Sequence, residues 1–110
     1  MAAPVFRFLE TGWSSTMGKL SDQEIQQKLP ALDGWRYEAG ALIHDYAFAD
    51  FAAAFAFVVR LALLAEKANH HPDIDIRYNK LRVALVSHDS GGVTARDVSM
   101  AAEIGKLSSL

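Results

Sequence analysis

The spacing of apolar and polar residues along the chain predicts three helices and four strands. Apolar positions recur at helical spacing after Ser21, throughout residues 51–69, and again after Thr94. Strand-like alternation of apolar and polar positions occurs in residues 34–38, 41–48, 73–78 and 81–88. The predicted order is therefore α-β-β-α-β-β-α. Two hairpins with helices on one face make an α+β two-layer sandwich around a four-stranded antiparallel sheet.

Capping residues indicate where the predicted helices begin. Ser21 and Glu24 have the spacing of a capping box at the start of the first helix. Asp50 is the expected N-cap of the second helix. Thr94 opens the last helix and places Asp97 at its third position, where an acidic side chain also caps.

Turn residues and side-chain alternation fix the rest of the expected layout. Gly40 is expected to form the first hairpin turn and Asn79–Lys80 the second, while Gly91–Gly92 ends the last strand. Leu81, Val83 and Leu85 share one face of the last strand. The last helix is expected to point four residues inward, namely Val98, Ala101, Ile104 and Leu107.

The middle helix, residues 51–69, is apolar on nearly all sides. In a chain of 110 residues the sheet can cover only one face of this helix. We therefore expect its opposite face to meet another subunit. A purely structural oligomer is one reading of this feature.

Composition limits the classes of function. At 110 residues the chain is expected to hold one domain, residues 17–110, preceded by an N-terminal extension or cloning remnant, residues 1–16. A net charge of -2 argues against direct nucleic-acid binding. No apolar run approaches the ~20 residues that span a bilayer, so no membrane association is expected. The absence of cysteine excludes thiol catalysis and fits a cytoplasmic protein.

Three of the four histidines lie close together in the sequence, at His70, His71 and His88. The fourth, His44, lies in a strand and is expected to be structural. Glu66 and His70 have a spacing that could place both on one metal ion, but adjacent side chains point apart, so His70 and His71 cannot easily share it. No metal site is predicted. Acid–base chemistry fits better, because histidine exchanges protons near neutral pH and Asp97 could orient one imidazole.

The spacing of these residues resembles the signature of pterin-4a-carbinolamine dehydratases. The matching residues are Glu66, His70-His71-Pro72, Tyr78, His88 and Asp97. The segments "LDGW", "FADFAAAFAFVVRLALLAEKANHHP" and "YNKLRVALVSH" extend the likeness over roughly residues 20–107. Ile74 departs from the pattern, since animal members often carry an aromatic residue there.

The resemblance implies a fold, an activity and a site. The fold is the α-β-β-α-β-β-α arrangement, in homodimers or homotetramers. The activity is dehydration of 4a-hydroxytetrahydropterin to quinonoid dihydropterin, in tetrahydrobiopterin recycling, without a cofactor. The implied catalytic residues are His70, His71, His88, Asp97 and Glu66. The implied pterin-binding residues are Asn69, His70, His71, Pro72, Val86, Ser87, His88 and Asp89.

The resemblance also implies roles for the histidines and a second function. His71 would bind substrate and transfer a proton, while His70 and His88 would be acids for the departing hydroxyl. Some animal members also bind a homeodomain transcription factor as a dimerisation cofactor. A transcription-factor partner is therefore the alternative function, and it would need an exposed apolar helix face.

Overall fold

A computed structural model describes residues 18–107 of the chain, so the expected extension, residues 1–16, lies outside the described residues. The helices are α1 (Asp22–Lys28), α2 (Phe51–Ala68) and α3 (Ala95–Leu107). The strands are β1 (Arg36–Glu38), β2 (Ala41–Ala47), β3 (Asp73–Arg77) and β4 (Lys80–Leu85). Short 3₁₀ helices follow α1 at Leu29–Ala31 and β4 at His88–Ser90.

The four strands form a single antiparallel sheet in the order β1-β2-β4-β3. The second hairpin therefore lies beside the first through its last strand, and β3 is an edge strand. Helices and strands follow one another as α-β-β-α-β-β-α. The predicted α+β fold with a four-stranded antiparallel sheet is confirmed.

The predicted helix caps are also confirmed. The Ser21 hydroxyl accepts a hydrogen bond from the Glu24 backbone N–H, and the Glu24 carboxylate accepts one from the Ser21 backbone N–H. The Asp50 carboxylate accepts from the backbone N–H of Ala53 at 2.8 Å. Each cap satisfies backbone donors that the first helical turn leaves unpaired, which fixes where the helix begins.

The second hairpin turns one residue earlier than predicted. The turn residues are Tyr78, which takes a left-handed conformation with a φ of 55°, and Asn79, and β4 already begins at Lys80. Asn79 instead bonds to Phe48. Its side-chain amide donates to the Phe48 carbonyl at 2.8 Å, and its backbone carbonyl accepts from the Phe48 N–H. These bonds tie the turn to the segment after β2.

The last strand is shorter than predicted. We expected it to reach His88, but β4 ends at Leu85. Ser87 forms an isolated bridge with Gly92, and His88 begins a 3₁₀ turn. The backbone therefore leaves the sheet two residues before His88, which places this histidine on a loop rather than on a strand.

The core lies between the sheet and the helices. Leu81, Val83 and Leu85 of β4 are buried on the helix side of the sheet, as their alternation predicts. The helical members of the same cluster are Ile25, Phe57, Leu61, Met100, Ala101 and Ile104. Met100 is a core position that the sequence did not indicate, whereas the predicted Val98 and Leu107 are only partly buried.

The middle helix α2 buries one side and exposes the other. Its buried residues are Ala54, Phe57, Leu61 and Ala65. Four large apolar side chains, each about half exposed or more, form what we call the exposed stripe of α2: Phe51, Phe55, Val59 and Leu63. A subunit contact on this stripe stays a prediction. Within the described residues, no helix has the length and apolar character needed to cross a membrane.

Candidate active site

The end of α2 places two histidines side by side. Asn69 adopts a left-handed conformation with a φ of 52°. Its backbone N–H bonds to the Glu66 carbonyl, and the His70 N–H bonds to the Ala65 carbonyl. This is a Schellman motif, in which a left-handed residue ends the helix and turns the chain. Because Asn tolerates this conformation, the next residue can turn inward at once.

His70 forms a buried pair with Asp97. Its Nε2 lies 2.5 Å from Asp97 Oδ1, and the two residues are 9% and 0% exposed. The pair joins the end of α2 to the first turn of α3. No hydrogen-bond partner within residues 18–107 is found for the other ring nitrogen of His70, Nδ1. The bond to Nε2 gives the buried Asp97 carboxylate a partner, which it needs because an unpaired charge in the interior is costly.

The second oxygen of Asp97 is held by the start of α3 and by the loop after β4. Oδ2 accepts hydrogen bonds from the Thr94 backbone N–H and from the Ser87 hydroxyl, both at 2.9 Å. The Ser87 and Thr94 hydroxyls lie 2.8 Å apart. Ser87 and Thr94 are themselves buried. The predicted capping role of Asp97 and its predicted role beside an imidazole therefore coexist in one side chain.

His71 forms an open pair with Glu66. Its Nε2 lies 2.5 Å from Glu66 Oε2, and both side chains are more than half exposed. Glu66 is in the last turn of α2, so this carboxylate holds the ring just beyond the helix end. Adjacent histidines thus point to different environments, His70 into the protein and His71 towards solvent, as expected for neighbours in an extended segment.

His88 faces a third carboxylate. Its Nε2 lies 3.9 Å from Asp73 Oδ2, and both side chains are largely exposed. Next to His88, Asp89 accepts a hydrogen bond at 2.9 Å from the Arg96 guanidinium. Each of the three histidines therefore has its own acidic neighbour.

The three histidines line one open hollow of about 250 Å³. Its lining residues are Asn69, His70, His71, Val86, Ser87, His88, Asp89 and Arg96. The structure thus brings together all but one of the positions expected to bind pterin. The exception is Pro72, which follows His71 and leads into β3. Glu66 and Asp97 lie behind the histidines rather than on the wall.

His44 lies apart from this hollow. Its ring stacks on Tyr46 with ring centroids 3.8 Å apart and meets the Trp35 ring edge-on. Burial lowers the pKa of His44 and raises the pKa of Tyr46 to about 12. Both groups therefore stay uncharged near neutral pH, which suits a packed aromatic cluster.

Within residues 18–107, no group of three or more His, Asp or Glu side chains is placed to hold a metal ion. The carboxylates instead pair with the histidines one to one.

Sequence reasoning missed three residues near the hollow: Asp73, Thr94 and Arg96. Asp73 directly follows the "HHP" run, but its nearness to His88 depends on where the loop after β4 turns back. The sequence indicates Thr94 only as a helix cap. Arg96 precedes Asp97, so its position on the same helix end as a predicted site residue was the available signal.

The fold and the hollow define a class: a small α+β protein with a histidine–carboxylate site suited to acid–base chemistry. A family model described as pterin 4 alpha carbinolamine dehydratase matches residues 18–107. The chain therefore belongs to the pterin-4-alpha-carbinolamine dehydratase family, as the signature spacing predicted. Dehydratases are hydro-lyases, so the predicted enzyme class is that of the family.

Bacterial relatives are similar over most of this chain. Proteins of Acidobacterium capsulatum and Thermomicrobium roseum, both named "Putative pterin-4-alpha-carbinolamine dehydratase", are 48% and 44% identical to it. The matches cover 83% and 84% of this chain and 99% and 100% of the relatives. The similarity thus extends over whole relatives rather than over one motif.

Two solved structures share the fold. A transcriptional coactivator/pterin dehydratase from Brucella melitensis has a TM-score of 0.78 and 37% identity, over 82% of this chain and 98% of that one. A pterin dehydratase-like protein, identified as a RuBisCO assembly factor in the alpha-carboxysome, has a TM-score of 0.58 and 26% identity. That match covers 67% of this chain and 88% of the other.

Proposed function

We propose that this protein dehydrates 4a-hydroxytetrahydropterin to quinonoid dihydropterin at the hollow that His70, His71 and His88 surround. One observation carries the proposal: three histidines, each beside a separate carboxylate, meet around one open hollow. The product would return to tetrahydrobiopterin after reduction elsewhere.

The reaction requires two proton movements and no electron transfer to the protein. The C4a–oxygen bond breaks as the hydroxyl receives a proton and leaves as water. The N5 lone pair forms the C4a–N5 double bond, and the N5 proton is given up to a base. Histidine suits both steps because it can donate or accept a proton near neutral pH.

The pairing geometry indicates which nitrogen of each ring can meet the substrate. In His70 and His71 it is Nε2 that faces the carboxylate, which leaves Nδ1 for the pterin. A carboxylate accepts from Nε2–H, so Nδ1 is an acceptor in the neutral ring and a donor in the protonated ring. Either ring can therefore supply the proton to the hydroxyl or take the one from N5.

The test is turnover by the purified protein. We expect the wild type to accelerate quinonoid dihydropterin formation from 4a-hydroxytetrahydropterin at neutral pH. His71→Ala should lower the rate by at least about a hundredfold, since general acid–base catalysis typically contributes ~10²–10⁴. The reaction is followed by absorbance against a reaction without protein.

His44→Gln is the matched control, because it removes an imidazole that packs against Trp35 and Tyr46 away from the hollow. This variant should keep the wild-type rate. A folded wild type that gives no acceleration would remove the dehydratase assignment.

Asp73 offers a second, smaller prediction. Asp73→Asn should reduce kcat/KM only a few-fold, because the His88–Asp73 pair is exposed and 3.9 Å apart, and exposed ion pairs are weak. The difference between variant and wild type should shrink in ~1 M salt, where the Debye length is about 3 Å. Rates measured at low and high salt check this. A loss that persists at high salt would mean that Asp73 acts through another contact.

We propose a homo-oligomer as the working form, joined through the exposed stripe of α2. Four large apolar side chains on one helix face are more than a monomer usually leaves to solvent in one place. The same stripe could take a protein partner, which is the second candidate function. The coactivator and assembly-factor roles named for the two structural relatives favour testing it.

A further inference from the structure

Ser87 holds a central place among the buried polar groups next to the site. It is 1% exposed, and its hydroxyl lies 2.9 Å from Asp97 Oδ2 and 2.8 Å from the Thr94 hydroxyl. A serine hydroxyl has one proton to donate. Since Asp97 has none to give when ionised, Ser87 donates to Asp97 and accepts from Thr94. The three groups form a directed chain from Thr94 through Ser87 to Asp97.

The two carboxylate oxygens of Asp97 consequently bind different partners. Oδ2 accepts from Ser87 and from the Thr94 N–H, whereas Oδ1 accepts from His70 Nε2 at 2.5 Å. The Thr94 hydroxyl is 3.5 Å from Oδ2, too far for a good direct bond. Without the Ser87 hydroxyl, the carboxylate would lose one of the two short bonds that hold it turned towards His70.

We propose that Ser87 is a positioning residue that orients the Asp97 carboxylate and thereby keeps the proton of His70 on Nε2. Nδ1 is then the unprotonated nitrogen of the neutral ring, which could accept the N5 proton in the proposed dehydration. Ser87 also precedes His88 and is bridged to Gly92, so the same residue anchors the loop that carries the third histidine. The expected effect of Ser87 on kcat rests on the proposed function. The expected position of the proton on the His70 ring does not.

Ser87→Ala removes the hydroxyl with little change in shape. We expect kcat to fall roughly tenfold with KM within about twofold, since a hydrogen bond to a charged group is worth a factor of about ten or more. Ring ¹⁵N signals should show His70 protonated only at Nε2 in the wild type and a mixture of tautomers in the variant. Ser87→Thr, which restores the hydroxyl, should recover most of both properties.

Two further variants separate positioning from packing. Ser99→Ala removes an exposed serine of α3 and should change neither kcat nor the His70 signals. Thr94→Val keeps the shape but removes the donor to Ser87, and it should move the His70 signals in the same direction as Ser87→Ala. Thr94→Val therefore provides a second test of the hydrogen-bond chain if the added methyl group of Ser87→Thr prevents folding.

The measurements have distinct outcomes. Unchanged His70 ring signals in folded Ser87→Ala would overturn the inference, even if the melting temperature falls, because that result describes a packing role alone. A mixture of tautomers in Ser87→Ala and Thr94→Val supports it. The ring signals need no substrate, so they decide the inference even if the wild type shows no dehydratase activity, which would remove only the proposed function.

Discussion

Asp97→Asn is expected to lower kcat/KM by about a thousandfold, within the range that acid–base groups contribute to catalysis. The reason is a change of hydrogen-bond polarity. The amide oxygen of Asn would stay with the donors at Thr94 and Ser87, which leaves the amide N–H₂ facing His70. His70 Nε2 would then have to accept, and its proton would move to Nδ1, the nitrogen that faces the pterin in our proposal.

Steady-state rates together with ring ¹⁵N signals check this expectation. Asp50→Asn is the matched control, because Asp50 also caps a helix and Asn is an equally good N-cap. It therefore loses the same charge at a helix start without touching the histidines. A folded Asp97→Asn protein with activity near the wild type would show that the buried pair serves stability only.

The fold could be predicted from sequence because local signals agreed with one another. Ser21 with Glu24, and Asp50, bound the first two helices, while Leu81, Val83 and Leu85 identify the buried face of β4. The errors arose where a tertiary bond overrode a local preference. Asn79 favours a left-handed turn in isolation, yet its amide bonds to the Phe48 carbonyl, far away in sequence.

The sequence indicated the residues of the site, but not which carboxylate contacts which histidine. The signature spacing placed His70, His71 and His88 in one site, and the hollow contains all three. The spacing could not show that Asp97 is wholly buried, nor that the Ser87 hydroxyl donates a hydrogen bond to that carboxylate. Those facts depend on where the backbone leaves the sheet after Leu85. A period-two pattern extends through His88 and gives no sign of that departure.

The second large effect is expected on assembly. The variants Phe55→Glu and Leu63→Glu, singly or combined, should weaken self-association by at least about a hundredfold and give monomers at micromolar concentration. Both side chains lie on the exposed stripe of α2, about 49% and 68% exposed. Full burial of such a side chain contributes about 1.5–3 kcal/mol, and a buried unpaired carboxylate opposes association further. About 1.4 kcal/mol corresponds to tenfold in Kd.

Light scattering across a concentration series measures the mass, with Lys28→Glu as the control. Lys28 is exposed on α1 rather than on α2, and its substitution changes the charge by more than either single test variant. A wild type that is monomeric throughout would contradict the subunit contact. The three histidines and their carboxylates all come from one chain. Monomeric variants should therefore keep dehydratase activity, and activity that disappears with assembly would mean that a second subunit completes the site.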